Sequence, residues 1–128
     1  MTCLLDTCTF LWLTDRTEFL STTARTLLED AANTLVLSQI SSLEIQIKFK
    51  RGKLALSVSP DVFIRHAVER HGLHYLRLAD DHIWGKGKLP LLHHDPFDRL
   101  LVAQAIHEGM LIVTPDPLIH AYPARVVW

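Results

Sequence analysis

Hydrophobic residues fall along the chain in short, unbroken runs that alternate with longer segments of helical spacing. Short apolar runs without polar alternation are typical of strands that are buried on both faces of a parallel sheet. We predict five such strands, at residues 1–5, 34–38, 73–78, 110–114 and 125–128.

Three segments between these strands have the spacing and the end signals of helices. Residues 17–32 place their apolar side chains on one side, as an amphipathic helix does. A second helix is predicted over 60–71, with a proline at its start and a glycine just past its end. A third is predicted over 96–108, with Asp95 as its cap. Alternating strands and helices predict one α/β domain with a parallel sheet over residues 1–128.

Residues 43–50 carry two conflicting signals. Apolar and polar residues alternate there without a break, which is the pattern of a strand. Ser41 and Glu44, however, have the spacing of a capping box, which marks the start of a helix. Periodicity alone favours a strand, but we predict a helix because of the family resemblance described below.

Composition narrows the function classes. The chain has 128 residues, of which 48% are hydrophobic and 21% are charged, as in ordinary globular domains. Thirteen Lys and Arg against fourteen Asp and Glu give a net charge of −1, which excludes a polycation that coats nucleic acid without sequence preference. No apolar run is long enough for a membrane span, and Asp6 interrupts the N-terminal apolar stretch. We therefore expect a cytoplasmic protein without a signal peptide.

Four acidic residues lie at or just beyond predicted strand ends. Asp6 ends the first strand, Glu44 follows the second after a short turn, and Asp116 lies just beyond the fourth. Asp98 lies in the first turn of the helix before that fourth strand. Because open parallel sheets bind ligands outside the carboxyl ends of their strands, these acids are expected to meet at one edge of the sheet.

Carboxylates gathered in this way repel one another, and a hard divalent cation relieves the repulsion. Mg²⁺ and Mn²⁺ prefer oxygen ligands and keep several waters. Such an ion polarises a phosphoryl oxygen and activates water, so the pattern points to phosphodiester hydrolysis.

Each acid also has a structural explanation. Asp95 suits a helix cap, and Asp98 suits the positive end of a helix dipole. Glu44 suits the capping box, and Asp116 lies between two prolines in a predicted turn. Asp6 is the hardest to explain structurally, because an acid that closes an apolar strand rarely stays buried without a partner.

The basic and histidine residues leave alternatives open. A basic cluster follows Glu44 closely in sequence: Lys48, Lys50, Arg51 and Lys53. It is either a solvated face or a track for a phosphate backbone. The adjacent pair His93 and His94 either contacts phosphate or lies solvated in a loop. The spacing of histidines and cysteines gives no support for a zinc site.

Taken together, the motifs resemble a known family. The chain is similar to the PIN-domain ribonucleases, and most closely to the VapC-type toxins of bacterial toxin–antitoxin pairs. The matching segments occur in family order: Leu4-Leu5-Asp6-Thr7, Ser38 to Ile45, Lys48, Arg51 to Leu54, Leu89-Pro90, His94-Asp95-Pro96-Phe97-Asp98-Arg99 and Val113-Thr114-Pro115-Asp116. Cys8 and the prolines on either side of Asp116 depart from the usual family pattern, and the prolines can shift the Asp116 carboxylate.

The resemblance implies a five-stranded parallel sheet flanked by helices on both faces, with residues 43–50 helical. It implies a catalytic site of four acids: Asp6, Glu44, Asp98 and Asp116. Of these, Asp6, Asp98 and Asp116 would contact Mg²⁺ or Mn²⁺. The surrounding residues are expected to support the acids or bind the substrate: Asp95, Arg99, Lys48 and Arg51.

The activity implied is that of a metal-dependent endoribonuclease that leaves a 5′-phosphate and a 3′-hydroxyl. The partners implied are an RNA substrate, a small antitoxin that occludes the acidic cleft, and a second copy of the chain in a homodimer. The alternative is a non-catalytic PIN-like module that binds RNA or protein and uses its acids as caps and turns.

Overall fold

Five parallel strands form one sheet in the order β3-β2-β1-β4-β5. The structure is a computed structural model that describes residues 1–128. The strands are β1 (Thr2–Leu5), β2 (Thr34–Ser38), β3 (His74–Leu76), β4 (Leu111–Val113) and β5 (Val126–Val127). The predicted α/β fold with a five-stranded parallel sheet is confirmed.

Seven α-helices connect the strands. They are α1 (Thr7–Asp15), α2 (Thr22–Glu29), α3 (Gln39–Lys50), α4 (Pro60–His71), α5 (Asp80–Gly87), α6 (Pro96–Glu108) and α7 (Pro117–His120). The sequence analysis predicted α4 and α6 with these bounds but did not predict α1, α5 or α7. None of the helices combines the length and the apolar character that crossing a membrane requires.

The prediction of one continuous helix over 17–32 is wrong. A short 3₁₀ helix, Thr17–Phe19, comes first, and Leu20 then leaves helical geometry. Ser21 is extended, and its side chain accepts a hydrogen bond from the N–H of Ala24, which starts α2. A serine cap therefore divides a segment whose apolar spacing alone suggested one helix.

Residues 43–50 form the last eight residues of the twelve-residue α3, so the helix prediction is confirmed there. The predicted start at a Ser41–Glu44 capping box is wrong, because Ser38 caps the helix by accepting the N–H of Ile40. Strand β2 runs directly into α3 without a turn, which places Ser41 and Glu44 inside the helix on its buried face. Two polar residues on that face explain why the segment lacks clear helical amphipathicity.

Helices cover both faces of the sheet. On one face, Leu5, Leu37 and Val113 of the strands pack with Phe10 of α1 and Ile45 of α3. On the other face, Leu4, Val36 and Ile112 pack with Leu101 of α6 and Ile119 of α7. Alternate strand residues thus supply two separate cores, as expected for a sheet buried on both sides.

A buried histidine joins α5 to α6. His82 is 1% exposed, its Nδ1 accepts the N–H of Ala79, and its Nε2 lies 2.8 Å from Glu108 Oε1. His107 lies close enough to complete a possible set of metal ligands with these two side chains. Because Nδ1 accepts a main-chain N–H, the proton of the neutral ring is on Nε2, which donates to Glu108 and has no lone pair for a metal. This cluster is therefore a structural contact.

The end of α6 provides a test of the fold. Gly109 has a φ of 68° and donates its N–H back to the last turn of α6. Replacing it with alanine puts a Cβ in the left-handed region, so Gly109→Ala should lower the free energy of unfolding by about 1 kcal/mol. Denaturant unfolding measures this change.

Gly87→Ala is the matched control. Gly87 ends α5 without a positive φ and has open space around its Cα. Alanine should leave the stability unchanged or raise it slightly there, because alanine has the higher helix propensity. Equal stability of the two variants would contradict the left-handed end of α6.

Candidate active site

Four acidic side chains lie at the carboxyl edge of the sheet, around β1. Strand order reverses at β1, which has β2 on one side and β4 on the other. Asp6 follows β1 directly, Glu44 lies in α3 behind β2, and Asp116 follows β4. Asp98 reaches the same edge from the first turn of α6.

Asp6 is held by two hydroxyl-bearing residues. It is 5% exposed, its Oδ1 accepts the N–H of Thr9 at 2.8 Å, and its Oδ2 accepts the hydroxyl of Thr114. The same Thr114 oxygen accepts the N–H of Asp116 at 3.1 Å. Thr114 is fully buried and so joins the Asp6 and Asp116 segments. The sequence analysis did not assign it to the site, although it directly precedes the Pro-Asp step of the motif.

Glu44 is buried and fully paired. Its Oε1 lies 2.9 Å from the hydroxyl of Thr7, and its Oε2 lies 2.7 Å from Lys48 Nζ, one helical turn further on. Burial lowers the pKa of Lys48, but the bond to Glu44 and the charges of Asp95 and Asp98 outweigh this effect, so the pKa is raised. Lys48 therefore stays protonated and lies close to the acids.

Asp95 is a helix cap, as its structural explanation predicts. Its Oδ1 accepts the N–H groups of Phe97 at 2.8 Å and Asp98 at 3.4 Å, and Pro96 begins α6. This bond fixes the first turn of α6 and with it the position of Asp98.

Asp98 is a partly buried carboxyl surrounded by other acids. Burial raises its pKa first, and the charges of Asp95, Glu44 and Asp6 raise it further, while His93 opposes them. The result is a pKa of about 7 for a carboxyl whose ordinary value is 3.8. Oxygen donors that repel one another in this way fit a hard divalent cation such as Mg²⁺.

His93 lies between two of the acids. Its Nε2 is 3.0 Å from Asp98 Oδ2 and 2.9 Å from Asp116 Oδ2, and its side chain is 12% exposed. From the sequence, His93 was expected either to contact phosphate or to lie solvated in a loop. Its place two residues before the cap of α6 was the available signal, but local sequence does not show which acids it contacts.

Asp116 caps α7. Its Oδ1 accepts the N–H of Leu118 at 2.9 Å, and Pro117 begins the helix. Ligand atoms of Asp116, Asp98 and His93 lie within 4.8 Å of one another. The flanking prolines therefore leave the carboxylate at the edge with the other acids, because a proline suits the first position of a helix.

Cys8 lies against the acids. Its Sγ is 3.4 Å from Asp6 Oδ1, and the side chain is half-buried. Burial raises the pKa of the thiol well above its ordinary value, and the charges of Asp6 and Asp98 raise it further. The residue at this departure from the family pattern is therefore a neutral thiol.

The two predicted arginines lie in different settings. Arg99 donates to the carbonyl oxygens of Lys86 at 3.2 Å and Leu89 at 3.3 Å, so it anchors the end of α5 to α6. These contacts do not support the expected role of Arg99 in balancing charge or holding phosphate, and we leave it out of the proposed site. Arg51 directly follows α3, is exposed, and forms no ion pair.

A surface groove lies away from the four acids. It has a volume of about 720 Å³ between α3 and α4 and is lined by Leu43, Ile64, Val68 and Tyr75 among others. None of the four acids lines it. We place the candidate site at the acids because ligand chemistry, more than volume, defines a cation site.

The geometry first defines a class: a parallel α/β protein with a carboxylate cluster where strand order reverses. The sequence then identifies the family. Residues 3–124 match the family model of the PIN domain, and the chain belongs to the PIN-domain family. Comparison with curated proteins found no match.

Solved structures share the fold over nearly the whole chain. VapBC2 from Rickettsia felis, bound to a DNA fragment from its promoter, superposes with a TM-score of 0.73 at 17% identity, covering 100% of this chain and 99% of that one. VapBC-1 from nontypeable Haemophilus influenzae gives 0.64 at 19%, with coverage of 99% and 97%. VapBC-5 from Mycobacterium tuberculosis, of the VapBC family of toxin–antitoxin systems, gives 0.61 at 14%, with coverage of 98% and 95%.

The raised pKa of Asp98 gives a stability prediction. A carboxyl whose pKa is higher in the folded state favours folding when protonated, and this contribution is lost as pH rises through about 7. Asp98→Asn cannot ionise, so the variant does not undergo this loss. In EDTA, its free energy of unfolding relative to that of the parent should therefore be about 2 kcal/mol higher at pH 8 than at pH 5.

Denaturant unfolding at the two pH values measures this change. Asp15→Asn is the control, because the Asp15 side chain is 83% exposed and lies outside the cluster. A difference between Asp98→Asn and the parent that does not vary with pH would show that the carboxyl titrates normally.

Proposed function

We propose that this protein is a metal-dependent endoribonuclease and the toxin of a toxin–antitoxin pair. PIN domains are generally nucleases, which supports a nuclease activity. The observation that carries the finer assignment is the approach of Asp98 and Asp116, whose ligand atoms lie within 4.8 Å of each other, with Asp6 near enough for its charge to raise the pKa of Asp98.

The three aspartates would hold Mg²⁺, or Mn²⁺ in its place, through carboxylate oxygens. When bound, an ion of this kind supplies an activated water and neutralises charge on a phosphoryl oxygen. Asp6 is prepared for this role because Thr9 and Thr114 fix both of its oxygens. Glu44 completes the site from α3, where Thr7 and Lys48 hold it.

The basic residues of α3 are suited to the RNA backbone. Lys48 Nζ lies beside Glu44 with its side chain 48% exposed, so it can contact a phosphate next to the cleavage point. Arg51 lies one turn further along and is free of ion pairs. Hydrolysis at this site would leave a 5′-phosphate and a 3′-hydroxyl.

The partners are proposed from the comparisons. One solved neighbour is described as a member of the VapBC family of toxin–antitoxin systems. We propose that a small antitoxin covers the acids of this chain, with an arginine paired to the carboxylates, and that the toxin forms a homodimer. We propose that the protein acts in the cytoplasm, where an RNA substrate and an antitoxin would be available to it.

A non-catalytic PIN-like module is the second candidate, and one observation favours it. Asp6, Asp95 and Asp116 each cap a helix, so their presence has a structural explanation. Asp98 and Glu44 cap nothing and are nevertheless drawn into the cluster. Structural use of the acids therefore explains only part of the site.

Substitution of the aspartates tests catalysis. Asp6→Asn and Asp98→Asn should each lower cleavage of a mixed cellular RNA pool by at least about 100-fold in Mn²⁺, because each removes a charged ligand. Asparagine still caps a helix, so α1 should remain folded in Asp6→Asn. Asp15→Asn is the control and should cleave like the parent. Full activity in either site variant would refute the assigned roles.

Metal binding separates the two candidates without knowledge of the RNA. Calorimetric titration with Mn²⁺ should show binding to the parent and to Asp15→Asn, and none to Asp6→Asn or Asp98→Asn. EDTA should abolish cleavage and leave RNA binding intact. A parent that binds RNA, fails to bind Mn²⁺ and never cleaves would establish the non-catalytic module instead.

A further inference from the structure

His93 occupies a defined position between two proposed metal ligands. Its Nδ1 accepts the N–H of Asp95 at 3.1 Å, so the proton of the neutral ring lies on Nε2. From there it donates to Asp116 Oδ2 at 2.9 Å, and the same nitrogen lies 3.0 Å from Asp98 Oδ2. The main-chain N–H of His93 donates to the hydroxyl of buried Tyr122, which fixes the loop.

The His93 imidazole is hydrogen-bonded to the one Asp116 oxygen that remains available to a cation. Asp116 Oδ1 is used in capping α7, where it accepts the N–H of Leu118. Its other oxygen, Oδ2, faces Asp98 and is bonded to His93. A cation that joins Asp98 and Asp116 must therefore bind an oxygen to which His93 already donates.

His93 cannot itself serve as a ligand in this arrangement. The nitrogen that faces the acids carries the proton, and the other nitrogen is bonded to a main-chain N–H. Mg²⁺ binds carboxylate oxygens at about 2.0–2.1 Å, so an N–H directed at Asp116 Oδ2 lies in the space that the ion and its waters need.

We propose that His93 is a placeholder for the divalent ion. In the metal-free protein it is a positioning residue that holds Asp116 Oδ2 by a hydrogen bond and keeps its ring between that oxygen and Asp98 Oδ2. When the ion binds, the imidazole gives up this bond. This inference rests on the proposed metal site and adds that the chain carries its own competitor for that site.

Two opposite effects of removing the imidazole follow. His93→Ala should bind Mn²⁺ about tenfold more tightly than the parent, because the ion no longer displaces hydrogen bonds to charged groups. In EDTA the same variant should melt at a lower temperature, because Asp116 Oδ2 loses its hydrogen-bond donor. Saturating Mn²⁺ should remove that difference in melting temperature.

Calorimetric Mn²⁺ titration at pH 8 and thermal melts test these effects. His94→Ala is the matched control, since His94 is the adjacent, exposed residue of the same loop and its side chain forms no hydrogen bond or ion pair with the acids. It should match the parent in both measurements. Unchanged or weaker Mn²⁺ binding by His93→Ala, with normal binding by the parent, would overturn the placeholder and leave the metal site standing. No binding by any of the three chains would overturn both.

Nuclear magnetic resonance of the unmodified protein gives a readout that needs no variant. Long-range ¹H–¹⁵N spectra should show the His93 ring with its proton on Nε2 in the absence of metal. Diamagnetic Mg²⁺ should shift the Nε2 resonance as its bond to the Asp116 carboxylate is lost, while the His94 ring stays unchanged. A His93 ring that keeps its resonances at saturating Mg²⁺ would contradict the displacement.

Discussion

Repulsion among carboxylates at one edge of the sheet is the constraint to which the surrounding structure responds. Five acids lie there, and most are matched by a nearby donor. Main-chain N–H groups at the starts of α1, α6 and α7 bond to Asp6, Asp95 and Asp116. Each such helix start also places positive dipole charge beside a carboxylate. The parallel sheet makes this possible because its connections begin helices at the same edge.

Side-chain donors also compensate the charges of the five acids, but they do so unevenly. Asp6 and Glu44 each have both oxygens bonded, through Thr114 and Thr9 and through Thr7 and Lys48. Asp98 has no side-chain hydrogen-bond donor, and His93 Nε2 lies 3.0 Å from its Oδ2. Burial and the neighbouring acids therefore disfavour the charged form of this carboxyl and raise its pKa to about 7. Of the proposed metal ligands, Asp98 is thus the one whose charge the chain compensates least.

Much of the fold was predictable because its signals are local. Apolar runs gave all five strands, and the caps and glycines of α4 and α6 gave their bounds. The start of α3 was not predictable. The sequence offers a good local capping box at Ser41, but the helix is capped by Ser38 at the end of β2. Residues 43–50 needed the family resemblance, since their buried face includes polar Glu44, which serves the site.

The acids of the site were predictable from strand ends, whereas their partners were not. Thr114 and Asp6 are 108 positions apart, and His93 and Asp116 are 23 apart, so no local pattern joins either pair. Arg99 shows the converse, because a residue adjacent to Asp98 in sequence donates to main-chain oxygens at the end of α5. Neighbours along a helix point in different directions, and adjacency in a motif does not establish a shared site.

Cys8 shows what this concentration of charge means for redox chemistry. A thiolate is the form of cysteine that reacts with oxidants and alkylating agents, and low pKa and exposure favour it. The neighbouring carboxylates and partial burial keep Cys8 in the thiol form. The same negative charge that makes the edge attractive to a cation therefore protects its cysteine from oxidation, so a thiol can lie beside the acids without making the protein a redox sensor.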